Sequence, residues 1–451
     1  MKNISRRDFL KATGAGAAAL GVAACKQTAE KVGIGGEESV SSGEGMPLRT
    51  NPNTGDKVSV LGYGCMRWQM TTDENGNQVI DQDSVNELVD YAMAHGINYY
   101  DTSPVYLQGQ SEAAAGLALS RYPRDSYYLA TKMSNFSNFT FENSVLMYKE
   151  SLKNLRTDYL DYYLCHSLPG GAGFKQRFQD NGLIDYLLKE REAGHIRNLG
   201  FSFHGNQAGF DEMMALHEQY HWDFVQIQMN YVDWNHADAG ATQASYMYEE
   251  LEKRGIPVVI MEPLLGGRLS SVPNKIAETF KEREPQKSVA SWAFRFCASK
   301  PQVLVALSGM TYMEHLVDNI STFENFKPLT EAEFEFLEES AGLIKGYPLV
   351  SCTGCQYCMP CPYGINIPAI FKHYNNAVNE GNIASSAEQE DFKKLKKAYL
   401  TSYDKEIETV RQADHCIGCQ QCVSHCPQHI RIPNELRRID RYVEALKQET
   451  L

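Results

Sequence analysis

After its first 25 residues this chain has no apolar run long enough to cross a bilayer, which takes about 20 consecutive apolar residues as a helix. It also lacks any surplus of positive charge. Lys and Arg number 43 against 56 Asp and Glu, a formal net charge of −13. A surface of that sign is repelled by phosphate backbones, so nucleic acid is excluded as a partner. No G-x-G-x-x-G turn follows the first strand-like run, which counts against a doubly wound dinucleotide fold.

Cysteine is what the chain does have, 12 in 451 residues. Disulfides would be the ordinary use in an exported protein, but the distribution argues otherwise. Cys65, Cys165 and Cys297 stand alone in apolar surroundings and read as inert core residues. Eight others fall in two short runs. These are Cys352-Thr-Gly-Cys355-Gln-Tyr-Cys358-Met-Pro-Cys361-Pro362 and Cys416-Ile-Gly-Cys419-Gln-Gln-Cys422-Val-Ser-His-Cys426-Pro427. The second is the C-x2-C-x2-C-x3-C-P pattern of bacterial ferredoxins, and the first is one residue shorter before its last cysteine. Three cysteines on a tight loop hold three corners of a cubane. The fourth, carried away by its proline, reaches across to the other cluster. That logic gives one [4Fe-4S] cluster Cys352, Cys355, Cys358 and Cys426, and the other Cys416, Cys419, Cys422 and Cys361. Zinc also suits paired C-x2-C, but it has no use for the two C-P endings.

The N-terminus carries Ser5-Arg6-Arg7-Asp8-Phe9-Leu10-Lys11 followed by a mildly apolar stretch from Ala12 to Ala24. This is the form of a twin-arginine export signal. The route moves folded proteins, which suits a chain that must take up iron–sulfur clusters before export. The signal ends Val22-Ala23-Ala24-Cys25, which resembles a lipobox, and residues 26–45 read as a flexible Gly/Ser/Glu-rich tether. The expected location is the periplasm or cell envelope, with membrane contact only through a lipid on Cys25. A membrane or periplasmic redox partner would then face the clusters.

From Lys57 to about Phe326, eight strand-like runs alternate with helical stretches. The runs are Val58–Leu61, Ile97–Asp101, Tyr127–Thr131, Leu160–His166, Ile196–Ser202, Phe224–Met229, Pro257–Met261 and Val303–Leu307. Eight such repeats predict a (β/α)8 barrel over residues 46–328, an α/β fold, followed at 329–451 by a small, mainly helical ferredoxin-like domain. In such barrels the chemistry sits at the C-terminal ends of the strands. There the sequence places Asp101, Lys132 and His166, with Tyr106 five residues after Asp101. An ammonium beside a phenol favours the tyrosinate and lowers its pKa. A carboxylate would hold that ammonium, and an imidazole can bond a substrate oxygen. The segment 367–413 between the cysteine runs is charged and helix-like. Tyr231 and Trp234 either line a substrate wall or pack in the core.

Asp101, Tyr106, Lys132 and His166 resemble the catalytic tetrad of the aldo/keto reductases. The likeness runs from the Asn51–Lys57 turn to Asn319, through Gly200-Phe-Ser202, Val225-Gln226-Ile-Gln228, Glu262-Pro263-Leu264-Leu-Gly266-Gly267 and Ser308-Gly309-Met310. With the cysteine runs, the chain resembles bacterial members carrying a C-terminal ferredoxin-like domain. The resemblance implies hydride transfer between NAD(P) and a small carbonyl or alcohol, with Tyr106 as proton donor. It implies Ser202 and Gln226 on the nicotinamide carboxamide and Asn319 on the adenine. Pro263, Leu264, Gly266, Gly267, Ser308, Gly309, Met310 and His315 complete the coenzyme contacts. Three departures stand out. Two extra residues separate Tyr106 from Ser111-Glu112, Met261 replaces a stacking tyrosine, and Gly309, Met310 and His315 supply no Lys or Arg for a 2′-phosphate. NADP, NAD and a barrel without nicotinamide all stay open, as does a reading in which the barrel is a scaffold and only the clusters work.

Overall fold

The computed structural model describes residues 45–451 apart from 239 and 325; the signal, Cys25 and the tether up to residue 44 lie outside the described residues. Eight parallel strands close a barrel: β1 (Leu61–Gly64), β2 (Tyr99–Asp101), β3 (Tyr128–Met133), β4 (Leu160–Leu168), β5 (Ile196–Phe203), β6 (Phe224–Gln228), β7 (Val258–Met261) and β8 (Val303–Ser308). Each pairs with its sequence neighbours, and β8 closes on β1 through Ala306↔Leu61 and Ser308↔Tyr63. This is the (β/α)8 barrel that the alternation of runs predicts, and a helix follows every strand. Side-chain caps start several of those helices. Asp81 accepts from the Ser84 amide, Thr140 from Asn143, Asn206 from Gly209 and Ser288 from Ser291. Each satisfies an N–H that has no partner within its helix.

The first strand is one place where sequence and structure part. The run Val58–Leu61 is two elements. Lys57–Ser59 pairs antiparallel with Leu48–Thr50, and only from Leu61 does the chain enter the barrel. The hairpin belongs to the barrel floor. Val58 packs into the interior layer with Tyr99, Ala130, Tyr162, Phe224 and Val259. Asn51 donates from Nδ2 to the Tyr162 hydroxyl at 2.9 Å. Strand periodicity of two then fixes what lies one layer up. Tyr99 carries Asp101 above it, Ala130 carries Lys132, Tyr162 carries Leu164 and His166, and Phe224 carries Gln226. An apolar floor and a polar mouth follow from the same alternation.

Cys65, Cys165 and Cys297 are fully buried, as core residues should be. Tyr231 is buried against Phe280 and Phe296, and the half-buried Trp234 meets Tyr248 at a tilt and Phe296 edge-on, so both pack against the core. Helix Glu331–Lys345 opens on a capping box of Thr330 and Glu333 and buries Phe336, Leu337, Ala341 and Ile344 in the barrel's apolar cluster. The apolar clusters therefore divide after Ile344. The second begins at Val350 and is built from helices Ile367–Asn379, Phe392–Glu406 and Ile432–Gln448. Two of these form the charged segment between the cysteine runs. Each lays one face (Ile370, Phe371 and Tyr374; Leu395, Tyr399 and Tyr403) into that cluster. Among the described residues no helix is long and apolar enough to cross a membrane.

Candidate active site and cysteine-lined cavities

The polar mouth of the barrel is organised around one buried ion pair. Lys132 Nζ lies 2.5 Å from Asp101 Oδ1 and donates to the Thr102 carbonyl at 2.8 Å, with both charged side chains almost wholly excluded from solvent. Gln226 donates from Nε2 to the other Asp101 oxygen at 3.2 Å. Burial pushes the Asp101 carboxyl up, and Lys132 and Gln226 oppose it. Tyr106 lies above the pair, its ring centroid 4.9 Å from Lys132 Nζ. Its ring meets that of His166 edge-on at 6.0 Å. The four residues singled out from the sequence thus come together.

Their electrostatics differ from the sequence expectation at one point. The Tyr106 phenol is not lowered. Burial pushes it well above its ordinary range, Asp101, Glu262 and Cys65 push it further, and Arg67 acts the other way. The physical reason is burial, which penalises the charged phenolate more than the surrounding charges can repay. His166 is held neutral by burial, with Lys132, Arg177 and His204 adding to the effect. Its Nδ1 lies 2.6 Å from Ser134 Oγ, which leaves Nε2 for a further partner. Arg177 braces this corner by donating to the His166 carbonyl at 2.8 Å and to Asn135 Oδ1 at 3.1 Å.

The two cysteine runs form loops of the same backbone. Gly354 and Gln356 in the first, and Gly418 and Gln420 in the second, all have positive φ. One cavity is lined by Cys352, Cys355, Cys358 and Cys426. The other, of about 240 Å³, is lined by Cys361, Cys416, Cys419 and Cys422, with Cys358 on its edge. Burial pushes the Cys358 thiol up to about 12, and the thiols that add to it are Cys355, Cys352 and Cys426. Cys422 is pushed up to about 11 by burial, with Cys416, Cys419 and Cys361 adding to it. The fourth cysteine of each run therefore stands with the other run, despite the shortened first spacing. Among the described residues no group of three or more His, Cys, Asp or Glu is drawn together as a single-ion site. Thiol sets spread around cavities fit a cubane, whose iron corners stand apart.

The first loop does not stand free of the barrel. Arg67, at the end of β1, donates to the carbonyls of Gly354 at 2.9 Å and Thr353 at 2.5 Å. A Cβ on Gly266 would lie 2.2 Å from the Thr353 carbonyl oxygen, so the two backbones are in direct contact. Gln428 and Gln228 exchange hydrogen bonds at 2.8 and 3.2 Å. Burial pushes the Tyr357 phenol far above its ordinary range, and the charges of Tyr106, Cys355, Asp101 and Glu262 push further. Sequence reasoning missed Arg67, Ser134, Arg177 and Tyr357. Only Arg67 and Ser134 had a usable signal, since both lie just past strand ends.

A model of the aldo/keto reductase family matches residues 60–341. The chain belongs to that family. A 4Fe-4S dicluster domain matches residues 351–431, and a twin-arginine translocation signal matches residues 3–23. The chain therefore carries an iron–sulfur domain behind the barrel and the address of the twin-arginine route. Similar proteins include L-galactose dehydrogenase of Arabidopsis thaliana, 27% identical over 58% of this chain and 78% of that protein. Protein tas of Escherichia coli is 27% identical over 60% of this chain and 91% of its own length. Aldo-keto reductase AKR11C1 from Bacillus halodurans, in its holo form, shares the fold at a TM-score of 0.53, with 22% identity over 65% of this chain and 96% of that one. A Klebsiella pneumoniae aldo-keto reductase solved with NADPH matches at a TM-score of 0.50 and 19% identity, over 66% of this chain and 94% of that one.

The residues expected to hold a nicotinamide do not fit one here. Gly266, expected to admit a pyrophosphate, meets the Thr353 backbone, and a Cβ on Gly309 would meet Arg67 Cγ at 2.5 Å. Asn319 donates to Ser308 Oγ at 3.0 Å, a buried pair turned on itself. Ser202 Oγ accepts from the Ser167 amide, and Gln226 is held on Asp101. Met310 and Pro263 are buried, Leu264 and Gly267 are half-buried, and His315 is exposed.

Proposed function

We propose that this family member is an exported oxidoreductase that interconverts a carbonyl and an alcohol, or their conjugated equivalents, at the barrel mouth. The observation that supports this most is the Tyr106–Lys132–Asp101–His166 group at the C-terminal ends of adjoining strands, where barrel enzymes keep their chemistry. The Tyr106 hydroxyl gives its proton to the substrate oxygen. Its raised pKa makes it a firm proton holder in the resting site. Negative charge developing on the substrate oxygen is what draws the proton across. Lys132, fixed by Asp101 and Thr102, supplies the positive field that stabilises the tyrosinate left behind. In the tautomer with its hydrogen on Nε2, His166 accepts from Ser134 at Nδ1 and donates from Nε2 to the same oxygen. Cys352, Cys355, Cys358 and Cys426 would hold one [4Fe-4S] cluster and Cys361, Cys416, Cys419 and Cys422 the other, and such clusters would supply electrons one at a time. A periplasmic location, with Cys25 lipid-anchored, completes this reading.

The test is turnover of a carbonyl panel by anaerobically purified protein. Tyr106→Phe is expected to lower kcat by 100-fold or more, on the scale of about 10²–10⁴ for a general acid, with iron content unchanged. Activity surviving that substitution would instead support a scaffold barrel in which only the clusters work.

A further inference from the structure

A segment of the iron–sulfur domain rests against the barrel mouth. Thr353 lies on Gly266, and the carbonyls of Thr353 and Gly354 are pinned by the two Arg67 Nη atoms. Arg67 itself covers Gly309. Thr353 is buried and Tyr357 half-buried. The same Thr353 lines the cavity of Cys352, Cys355, Cys358 and Cys426. We infer that the segment Cys352–Tyr357 takes the place of a dinucleotide, so that the barrel site exchanges electrons with the cysteine-held cluster beside it and binds no nicotinamide. This rests on the reading of the tetrad as a proton-donating site.

The chemistry balances without a hydride carrier. Two clusters store two electrons, one each, which is the requirement of one carbonyl reduction. Cys358 borders both cavities, so the sets adjoin. Cys419 is exposed and marks the outer set as the one an external one-electron donor recharges. Electrons that arrive singly select the substrate class. An isolated carbonyl gives a high-energy radical, whereas a conjugated dione of the quinone type delocalises it. A quinone takes two electrons and two protons. Its C=O π bonds become C–O single bonds in an aromatic ring, one proton comes from Tyr106 and the other from solvent, and both clusters are oxidised by one electron.

The experiment uses holoprotein with both clusters in place. Equilibrium dialysis against NADH and against NADPH is expected to show no saturable binding below about 1 mM, a threshold near −4 kcal/mol. Saturable binding below it overturns the inference. In a second arm the dithionite-reduced protein, freed of excess reductant, is mixed with menadione and the cluster absorbance is followed. Both clusters should reoxidise with one quinone consumed per protein, and Tyr106→Phe should slow this at least tenfold. If Tyr106→Phe reoxidises as fast as the parent, the tetrad reading fails and electron exchange with the barrel fails with it, although the dialysis result still decides who occupies the groove. If NADPH is oxidised by menadione while the clusters stay oxidised, the tetrad reading stands and the inference falls. A third arm needs no substrate. Arg67→Ala should move the midpoint potential of one cluster, and one only, to lower values, and Arg67→Lys should restore it towards the parent. Potentials identical in all three proteins would remove Arg67 from the first cluster.

Discussion

The two cysteine loops share a backbone and differ in what they touch. Cys352-Thr-Gly-Cys355-Gln-Tyr-Cys358 and Cys416-Ile-Gly-Cys419-Gln-Gln-Cys422 turn through positive φ at the same two positions. In the first loop Thr353 is buried under the barrel and Tyr357 is half-buried. In the second the equivalent Ile417 is 65% exposed and Gln421 is exposed. Each loop has an arginine beside its glycine, but Arg67 comes from the barrel and Arg437 from the domain's own last helix. The cysteines and glycines make a cluster loop. The residues between them decide whether it faces a catalytic site or solvent.

Breaking the comparison at the ligands has the largest expected effect. Cys426→Ser should remove the inner cluster and Cys361→Ser the outer one, each lowering iron from about eight to about four per chain. Only the inner loss should also loosen the barrel contact, seen as faster proteolysis after Tyr347. Equal proteolysis in the two variants would argue that the inner loop does not hold the domains together. Next comes Gly266→Ala, which combines a φ of +66° with a collision against Thr353. Left-handed strain of about 1–2 kcal/mol plus overpacking of about 1–3 predicts about 3 kcal/mol lost in denaturant unfolding.

Acid should act through the same contact at a smaller scale. His204 is held near a pKa of about 4 by burial, with His429 of the iron–sulfur domain adding to it. A folded pKa below the unfolded value of about 6.5 means the unfolded chain binds more protons below that pH. Stability should therefore be intact above pH 6.5 and fall by about 2 kcal/mol from this residue by pH 5. Flat stability between pH 7 and 5 would place His204 in water. Gly418→Ala has the positive φ without the collision, since nothing nearer than Arg437 Nη2 at 3.6 Å faces it. It should cost about 1 kcal/mol. Ile417→Ser, at a side chain 65% exposed, should change unfolding by less than about 0.5 kcal/mol.

Much of this molecule is legible in one dimension. The alternation of apolar runs and helical stretches announces the barrel, because strand and helix periodicities are local properties. The first strand departs from that pattern for a related reason. Val58 to Leu61 is one apolar run, but a floor hairpin and a barrel strand both want such residues, and only the antiparallel pairing of Lys57–Ser59 with Leu48–Thr50 separates them. Asp101, Lys132 and His166 could be picked because period two carries strand-end residues into the barrel mouth. The direction of the Tyr106 pKa could not, because burial sets it, and burial is decided by what the folded chain lays over the residue.

The sequence by itself determined the cysteine spacing, the barrel and the residues at its mouth, since each is set by positions a few residues apart. Only the tertiary structure decided that Thr353 and Gly354 rest on Gly266 and Arg67, more than 280 residues from Arg67 along the chain. No local pattern encodes that seat. It requires a missing Cβ on one strand of chain, two carbonyls free to accept on another, and a guanidinium between them, and these are brought together only when both domains have folded.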